Sequence, residues 1–268
     1  MMMIELRDPQ ALRAYLQRDL VGHAYQLSDL DPAFFQFTRW FGARDTESGD
    51  LKSLVLVYEG LRLPAVLASG EAQGVESLLR GVQPMLKEGF YYHVDEHHLD
   101  GLRAMAPQTH PEQMVRMALR SDDVAALPSE EDTAEVVPLG HRDTGALLRL
   151  YRFYPDHFFE PFQLDTGLYF GIRREGELVS VAGVHAVSER DGVAALGNIV
   201  THPAHRGQGL SVKTTGCLLR RVFERVGLAT LNVRRDNDAA IKTFERLGLR
   251  SHRTFFEGQV VADGAKKG

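Results

Sequence analysis

In the second half of the chain the apolar positions change period in a regular order. Within "DTGALLRLYRFYP", residues 143–155, they fall at 147, 148, 151 and 154, the spacing of one helix face, and Pro155 ends the run. "LYFGIRREGELVSVAGVHAV", 168–187, gives two β-rich runs around "REGE", which predicts a hairpin; "VAALGNIVTHP", 193–203, follows the turn "SERDG" as another strand. Positions 215, 218, 219, 222, 223 and 226 mark one face of a helix over 210–226. "LATLNVRR" reads as a strand, "DNDAAIKTFERLG" as a helix with polar caps and Gly248 as its stop, and "SHRTFFEGQVV" as a closing strand. With "AEVVPL" as a short first strand, the order is β, α, ββ, β, loop-α, β, α, β. That order predicts an α/β fold of the α+β kind, a mixed sheet with helices packed on it.

The first half echoes this order. "FFQFTRWFGA", "LKSLVLVYEG" and "LPAVLASG" read as successive strands, "AQGVESLLRGVQPMLKEG" as a helix, "FYYHV" as a strand and "DEHHLDGLRAMA" as a final helix. An internal repeat is therefore expected. The segment 121–138 is acidic, rich in small residues and broken by Pro128 and Pro138, so we expect two units, 1–127 and 134–268, joined by a linker at 128–133. The tail "ADGAKKG" has no periodicity and is expected to fray.

Composition narrows the function. At 268 residues, with 44% hydrophobic and 25% charged residues, the chain suits two soluble globular units. A net charge of −5 leaves only local basic patches for phosphate and argues against nucleic acid. The N-terminus meets charged residues at once and no long apolar run occurs, so a soluble, cytoplasmic protein is expected. The single cysteine, Cys217, excludes an internal disulfide and a cysteine-cluster metal site.

The chemistry concentrates in "HPAHRGQGLS", 202–211, between a strand and a helix. Glycines there let backbone approach a ligand, and the first N–H groups of the following helix, with its dipole, make an anion site; an ordinary strand–helix turn is the alternative. "GQGLSVKT", 207–214, misses the P-loop pattern because Val212 stands where its second glycine belongs, and the dinucleotide pattern G-x-G-x-x-G fails at the same place. "HVDEH", 93–97, has the spacing of a zinc motif, but a strand ending at His93 makes its histidines diverge, and no metal is expected.

Two elements then coincide. Arg206, Gly207, Gln208, Gly209, Leu210 and Ser211 meet the form [QR]-x-x-G-x-[GA] except for the final serine, and "NDAAIKTFERLGL", 237–249, carries an asparagine, Ala-Ile and a Gly ending at the matching distance. On these the chain resembles the GCN5-related N-acetyltransferase (GNAT) superfamily, and in particular its FR47-like branch, over about 130–260. The resemblance implies two GNAT-like domains in tandem, the first a degenerate copy, each a mostly antiparallel central sheet flanked by helices. It implies acetyl-coenzyme A or another acyl-coenzyme A as cosubstrate and a small amine as acceptor. The amides from Arg206 to Ser211 would hold the pyrophosphate, Ile199 and Val200 would pair with the pantetheine arm, and Asn237 would touch the cofactor.

Departures from the family pattern bear on mechanism. Phe244 stands where many relatives have a tyrosine acid, and Asn198 where many have a strand glutamate. A thiol with a pKa of roughly 8.5 leaves tolerably without an acid. His185 and His202 are the candidate bases, and Ser211, whose hydroxyl adds one contact, joins His185 as a catalytic candidate. His157, Phe158, Phe159, Glu160 and Phe162 either line the acceptor pocket or belong to the core. The alternative function is a catalytically silent protein that senses coenzyme A or another metabolite; a monomer or homodimer is expected in either case.

Overall fold

The first half lays down β1 (Met3–Leu6), α1 (Pro9–Leu16), α2 (Ala24–Ser28), α3 (Pro32–Phe35), β2 (Thr38–Arg44), β3 (Leu51–Tyr58), β4 (Ala65–Gly70), α4 (Ala72–Val82), β5 (Gly89–Val94), α5 (Leu99–Met105) and β6 (Glu112–Arg120). The second half follows with β7 (Val137–Pro138), α6 (Thr144–Tyr151), β8 (Phe170–Arg174), β9 (Glu177–Ser188), β10 (Val193–Thr201), α7 (Leu210–Phe223), β11 (Leu228–Arg234), α8 (Asp238–Arg246) and β12 (Arg250–Val261). These come from a computed structural model that describes residues 3–155 and 157–261; the tail at 262–268 lies outside them.

Two expectations need correction. The strand expected from Phe34 starts only at Thr38, because Asp31 caps α3 by accepting from the Ala33 N–H at 2.9 Å, with Pro32 in the first turn. The first half does not finish on a helix either. It continues into β6, whose Met114, Val115, Met117 and Leu119 are buried.

All strands join one 12-stranded sheet in the order β1-β2-β3-β4-β5-β12-β6-β11-β10-β9-β8-β7. Only β4–β5 and β10–β11 pair in parallel; every other pairing is antiparallel. The centre is an exchange. The last strand of the second half, β12, lies between β5 and β6 of the first, while β6 lies between β12 and β11 of the second. Phe256 thus faces Val94 on one side and Gln113 on the other. Each half completes the other's ladder, so the main-chain groups at the centre are paired across the boundary between the halves.

Burial follows the same plan. Val75, Leu78, Leu79 and Val82 of α4 pack with Leu102 of α5 beneath β2–β5, and Leu218, Leu219 and Val222 of α7 pack with Phe244 of α8 beneath the second half. On the opposite face α1 and α2 bring Leu12, Leu16 and Leu27 onto Trp40 and Leu56, in one cluster with Val193 and Leu228 of the second half. A helix of the first half therefore roofs strands of the second. Arg13 of α1 fastens this roof through a 2.8 Å ion pair with Asp191, whose side chain is fully buried in the β9–β10 turn.

The segment at 128–133 is seated rather than loose. Arg220 of α7 donates to the Pro128 carbonyl and the Thr133 hydroxyl, and a Cβ at Gly216 would lie 2.5 Å from the Pro128 ring. No helix among the described residues is long and apolar enough to cross a membrane.

Candidate active site

The site begins with a fault in β10. Gly197 pairs with Gly183 of β9, but the next partners are Val200 and Val181, so β10 carries an extra residue over this step. Asn198 sits in that bulge with φ of 54°, in the left-handed region that asparagine tolerates better than most residues. Its conformation is held from three sides. The Tyr151 hydroxyl donates to its carbonyl at 2.9 Å, and its own amide donates to Gln163 Oε1 at 2.9 Å and to the Tyr169 hydroxyl at 2.8 Å. Asn198, Gln163, Tyr151 and Tyr169 are all buried, which makes each of these bonds expensive to lose.

The bulge splits the sheet. Parallel pairing of β10 with β11 covers Val193–Leu196 against Leu228–Leu231 and stops there. Beyond it the edge of β10 at 197–201 faces Asn232, Val233 and Arg234 across a gap and pairs with no strand on that side among the described residues.

At the end of β10 the glycine loop turns into α7. His202 accepts from the Ala204 N–H at 3.2 Å and caps a short turn at Pro203–His205. Gly207 and Gly209 have φ of 76° and 72°, and a Cβ at either would meet nothing within 4 Å. The glycines thus serve the backbone angle and the open face of the loop, not packing within the chain. The first helical bond is Lys213 N–H to the Gly209 carbonyl at 3.2 Å; among the described residues no acceptor meets the six N–H groups from Gly207 to Val212. Arg206 lies over Tyr154, its guanidinium 5.6 Å from the ring centre and donating to the hydroxyl at 2.9 Å. Leu210 is buried against Ile172 and Val179, which anchors the start of α7, and Ser211 stands in its first turn.

Split strand and helices enclose a cavity of about 570 Å³ between the halves. Ile199, Val200, Asn237 and Phe244 line it from β10 and α8; His157, Phe158 and Phe162 line it from the segment between α6 and β8. Phe159 stacks on Tyr151 behind the wall, and the backbone of Glu160 donates to Gln163 at 3.1 Å; neither lines the cavity, and Ser211 and the glycine loop lie outside it as well. Asn237 accepts from the Ala240 N–H at 3.1 Å as the cap of α8, which leaves its amide N–H₂ for a ligand.

His185 reaches the bulge directly. Gln163 Oε1 already accepts from Tyr169, Asn198 and Glu160, so its amide nitrogen faces His185 Nδ1 at 3.5 Å as a donor. Burial lowers the His185 pKa to about 4, so the ring is neutral, and its proton sits on Nε2 when Nδ1 accepts from Gln163.

The cavity also takes residues that the sequence did not assign to it. Tyr25, Asp29, Tyr58 and His93 line the cavity, as does Glu257 on β12. Burial pushes the Asp29 carboxyl up to about 7, and burial partly offset by Arg116 raises Glu257 to about 7. His93, 3.4 Å from Glu257, is lowered to about 3 by burial and by the nearby Arg116 and His185. Nothing in the local patterns around Asp29 or Glu257 announces a site, because the topology alone brings them together.

The equivalent place in the first half has no cradle. β4 ends at Gly70 and α4 begins at Ala72, with no glycine loop between them. The gap is crossed by His97 and His98, whose Nε2 atoms meet the Gly70 carbonyl at 3.0 and 2.9 Å. Asp95, His97 and His98 bring potential ligand atoms within 4.8 Å of one another, but His98 Nδ1 also accepts from the Asp95 N–H and Arg253 holds the Asp95 carboxylate at 3.3 Å.

Comparison with known proteins agrees with this geometry. Among curated proteins none matches the chain by sequence. Among solved structures, a GCN5-related N-acetyltransferase from Kribbella flavida superposes with a TM-score of 0.62 at 16% identity, over 93% of this chain and 96% of that one. A GCN5-related N-acetyltransferase from Sphaerobacter thermophilus gives 0.59 at 12% identity, over 97% and 95%. A tandem GNAT protein from the clavulanic acid biosynthesis pathway gives 0.57 at 14% identity, over 99% of both chains. These likenesses establish the tandem fold. The sequence model of the acetyltransferase (GNAT) family matches residues 140–249, the segment that holds the bulge, the glycine loop and α8, so the GNAT likeness by sequence lies in the second half.

Proposed function

We propose that the protein transfers an acyl group, acetyl in the simplest case, from coenzyme A to an amine by direct attack on the thioester, without a covalent enzyme intermediate. The observation that carries this is the split beyond Leu196, which lies beside a run of six unpaired amides at the start of α7. Those amides and the helix dipole suit a pyrophosphate, with the Arg206 charge beside them. Ile199 and Val200 offer the free edge of β10 to the pantetheine arm, and Asn237 offers its amide group. Coenzyme A supplies the activated acyl group; the chain supplies its position and the surrounding charge.

At the bulge, His185 Nε2–H and the β10 main chain are placed to donate to the thioester oxygen as it gains charge. In this reading His185 acts as a donor, and a carboxylate on the cavity wall takes the proton that the amine must lose. Phe244 supplies no acid, so the thiolate leaves unprotonated. We assign Ser211 to the loop end of the site, with the amides.

Phe244 also favours a second reading, in which the protein binds coenzyme A and does not turn it over. Calorimetry with coenzyme A and a thiol-release assay with several acyl-CoAs and amines separate the two. Binding with turnover supports the transferase, binding without turnover the sensor, and no binding removes both.

A further inference from the structure

The wall contributed by the first half has its own chemistry. At the mouth of the cavity the aromatic pairs each take one ring from each half: Phe34 with Phe162 at 6.2 Å between centres, and Tyr91 with Phe158 at 5.2 Å. Phe158 and Phe162 remain 44% and 42% exposed, an unusual outlay of large apolar surface at one rim. Deeper in, Tyr25 lies between His93 and His185, with ring centres 5.9 and 6.1 Å away. Among the described residues no donor meets the Asp29 carboxylate, although it lines this cavity. The cations nearby are otherwise engaged. Arg116 lies over Tyr25 and Phe255, and Arg234 pairs with Glu112 and Asp236.

An apolar cavity with an unmet carboxylate and neutral histidines selects for a cation on an apolar body, since a carboxylate is poorly tolerated there and a bare polar amine gains little from the rings. We propose that the acceptor is an amine carried on an aromatic or bulky apolar group, with its ammonium held by Asp29 and its body between the rings of the two halves. This rests on the transferase reading and specifies its substrate class. In the reaction the ammonium gives one proton to the carboxylate and from there to water. Its nitrogen forms the C–N bond as the C–S bond breaks; the thiolate leaves as the anion and afterwards takes up the second proton, so the products are amide, free thiol and one proton.

The test uses the full chain, acetyl-CoA and three amines: 2-phenylethylamine, phenylalanine, which adds a carboxylate, and ethanolamine, which lacks the ring. The expected kcat/KM for 2-phenylethylamine exceeds the other two by a hundredfold or more. Asp29→Asn is expected to weaken it by about tenfold to a hundredfold in KM, the scale of one charged hydrogen bond. Phe162→Ala should raise KM for 2-phenylethylamine and leave ethanolamine unchanged, which gives a second handle if Asp29→Asn fails to fold. Preference for phenylalanine, for ethanolamine, or for a long-chain acyl-CoA with a small amine overturns the proposal, as does an Asp29→Asn enzyme with unaltered KM. Calorimetry of 2-phenylethylamine without coenzyme A keeps the two readings apart. If the amine binds in an Asp29-dependent way and coenzyme A does not bind, the transferase reading falls and the amine site stands; if coenzyme A binds and the amine does not, the reverse holds.

Discussion

The imidazole of His185 lies directly over Gly197: a Cβ at 197 would fall 1.9 Å from His185 Nε2. The glycine is therefore the space in which the ring meets the bulge. Gly197→Ala must push His185 away from the split in β10, because the added Cβ would overlap the ring and the ring can shift only toward the cavity it lines. We expect kcat to fall at least tenfold while coenzyme A affinity changes by less than threefold, measured by steady-state kinetics beside calorimetry.

Gly209→Val tests the cradle. The added side chain meets nothing within 4 Å in the chain itself, but it points into the open loop and burdens a φ of 72° with a β-branched residue. Folding should survive with a loss of about 1–2 kcal/mol. Coenzyme A binding should disappear from the calorimeter, and unaltered affinity would mean that the phosphates lie elsewhere.

Asn198→Ala removes two buried hydrogen bonds, to Gln163 and Tyr169, and takes from the left-handed position a residue suited to it. The stability cost should be about 2–4 kcal/mol, read as a shift in denaturant midpoint. Asn198→Asp keeps the shape but sets a carboxylate against Gln163 Oε1, so it should be no less damaging.

The raised carboxyls predict a pH trend in the unliganded protein. Asp29 and Glu257 titrate near 7 in the folded chain, against ordinary values of 3.8 and 4.5, because burial disfavours their charge. Their contribution to stability is complete below about pH 4 and is lost as pH rises through 7. Melting temperature should therefore decline between pH 5 and 8. Asp29→Asn should flatten that decline and raise the melting temperature at pH 8 by a few degrees.

The exchanged strands predict how the chain can be cut. A fragment of 134–268 lacks β6, which leaves β11 and β12 without the strand that joins them; a fragment of 1–127 lacks β12 between β5 and β6. We expect each fragment alone to aggregate, since it bares long strand edges, and the two co-expressed to form a soluble complex. Light scattering of the purified fragments checks this.

The second half was legible residue by residue because its cues are local. The hairpin at Glu175–Gly176, the left-handed Gly248 after α8 and the cap at Asn237 each act within a few residues of chain. β6 escaped notice because its pattern, "EQMVRMALR", is buried on both faces over Met114–Met117 and so lacks the alternation of a half-exposed strand. The acceptor wall escaped for a different reason. Asp29 and Glu257 are 228 positions apart, and only the exchange at the sheet centre and the roofing by α2 put them on one cavity.

That exchange also governs how the cleft can behave. Proteins that bind between two lobes commonly swing them about a hinge, but here the lobes are dovetailed through a shared row of main-chain bonds. Closure by a lobe swing would have to break that row, so we expect the halves to keep their relative placement when a guest arrives, with little reorganisation to offset its binding.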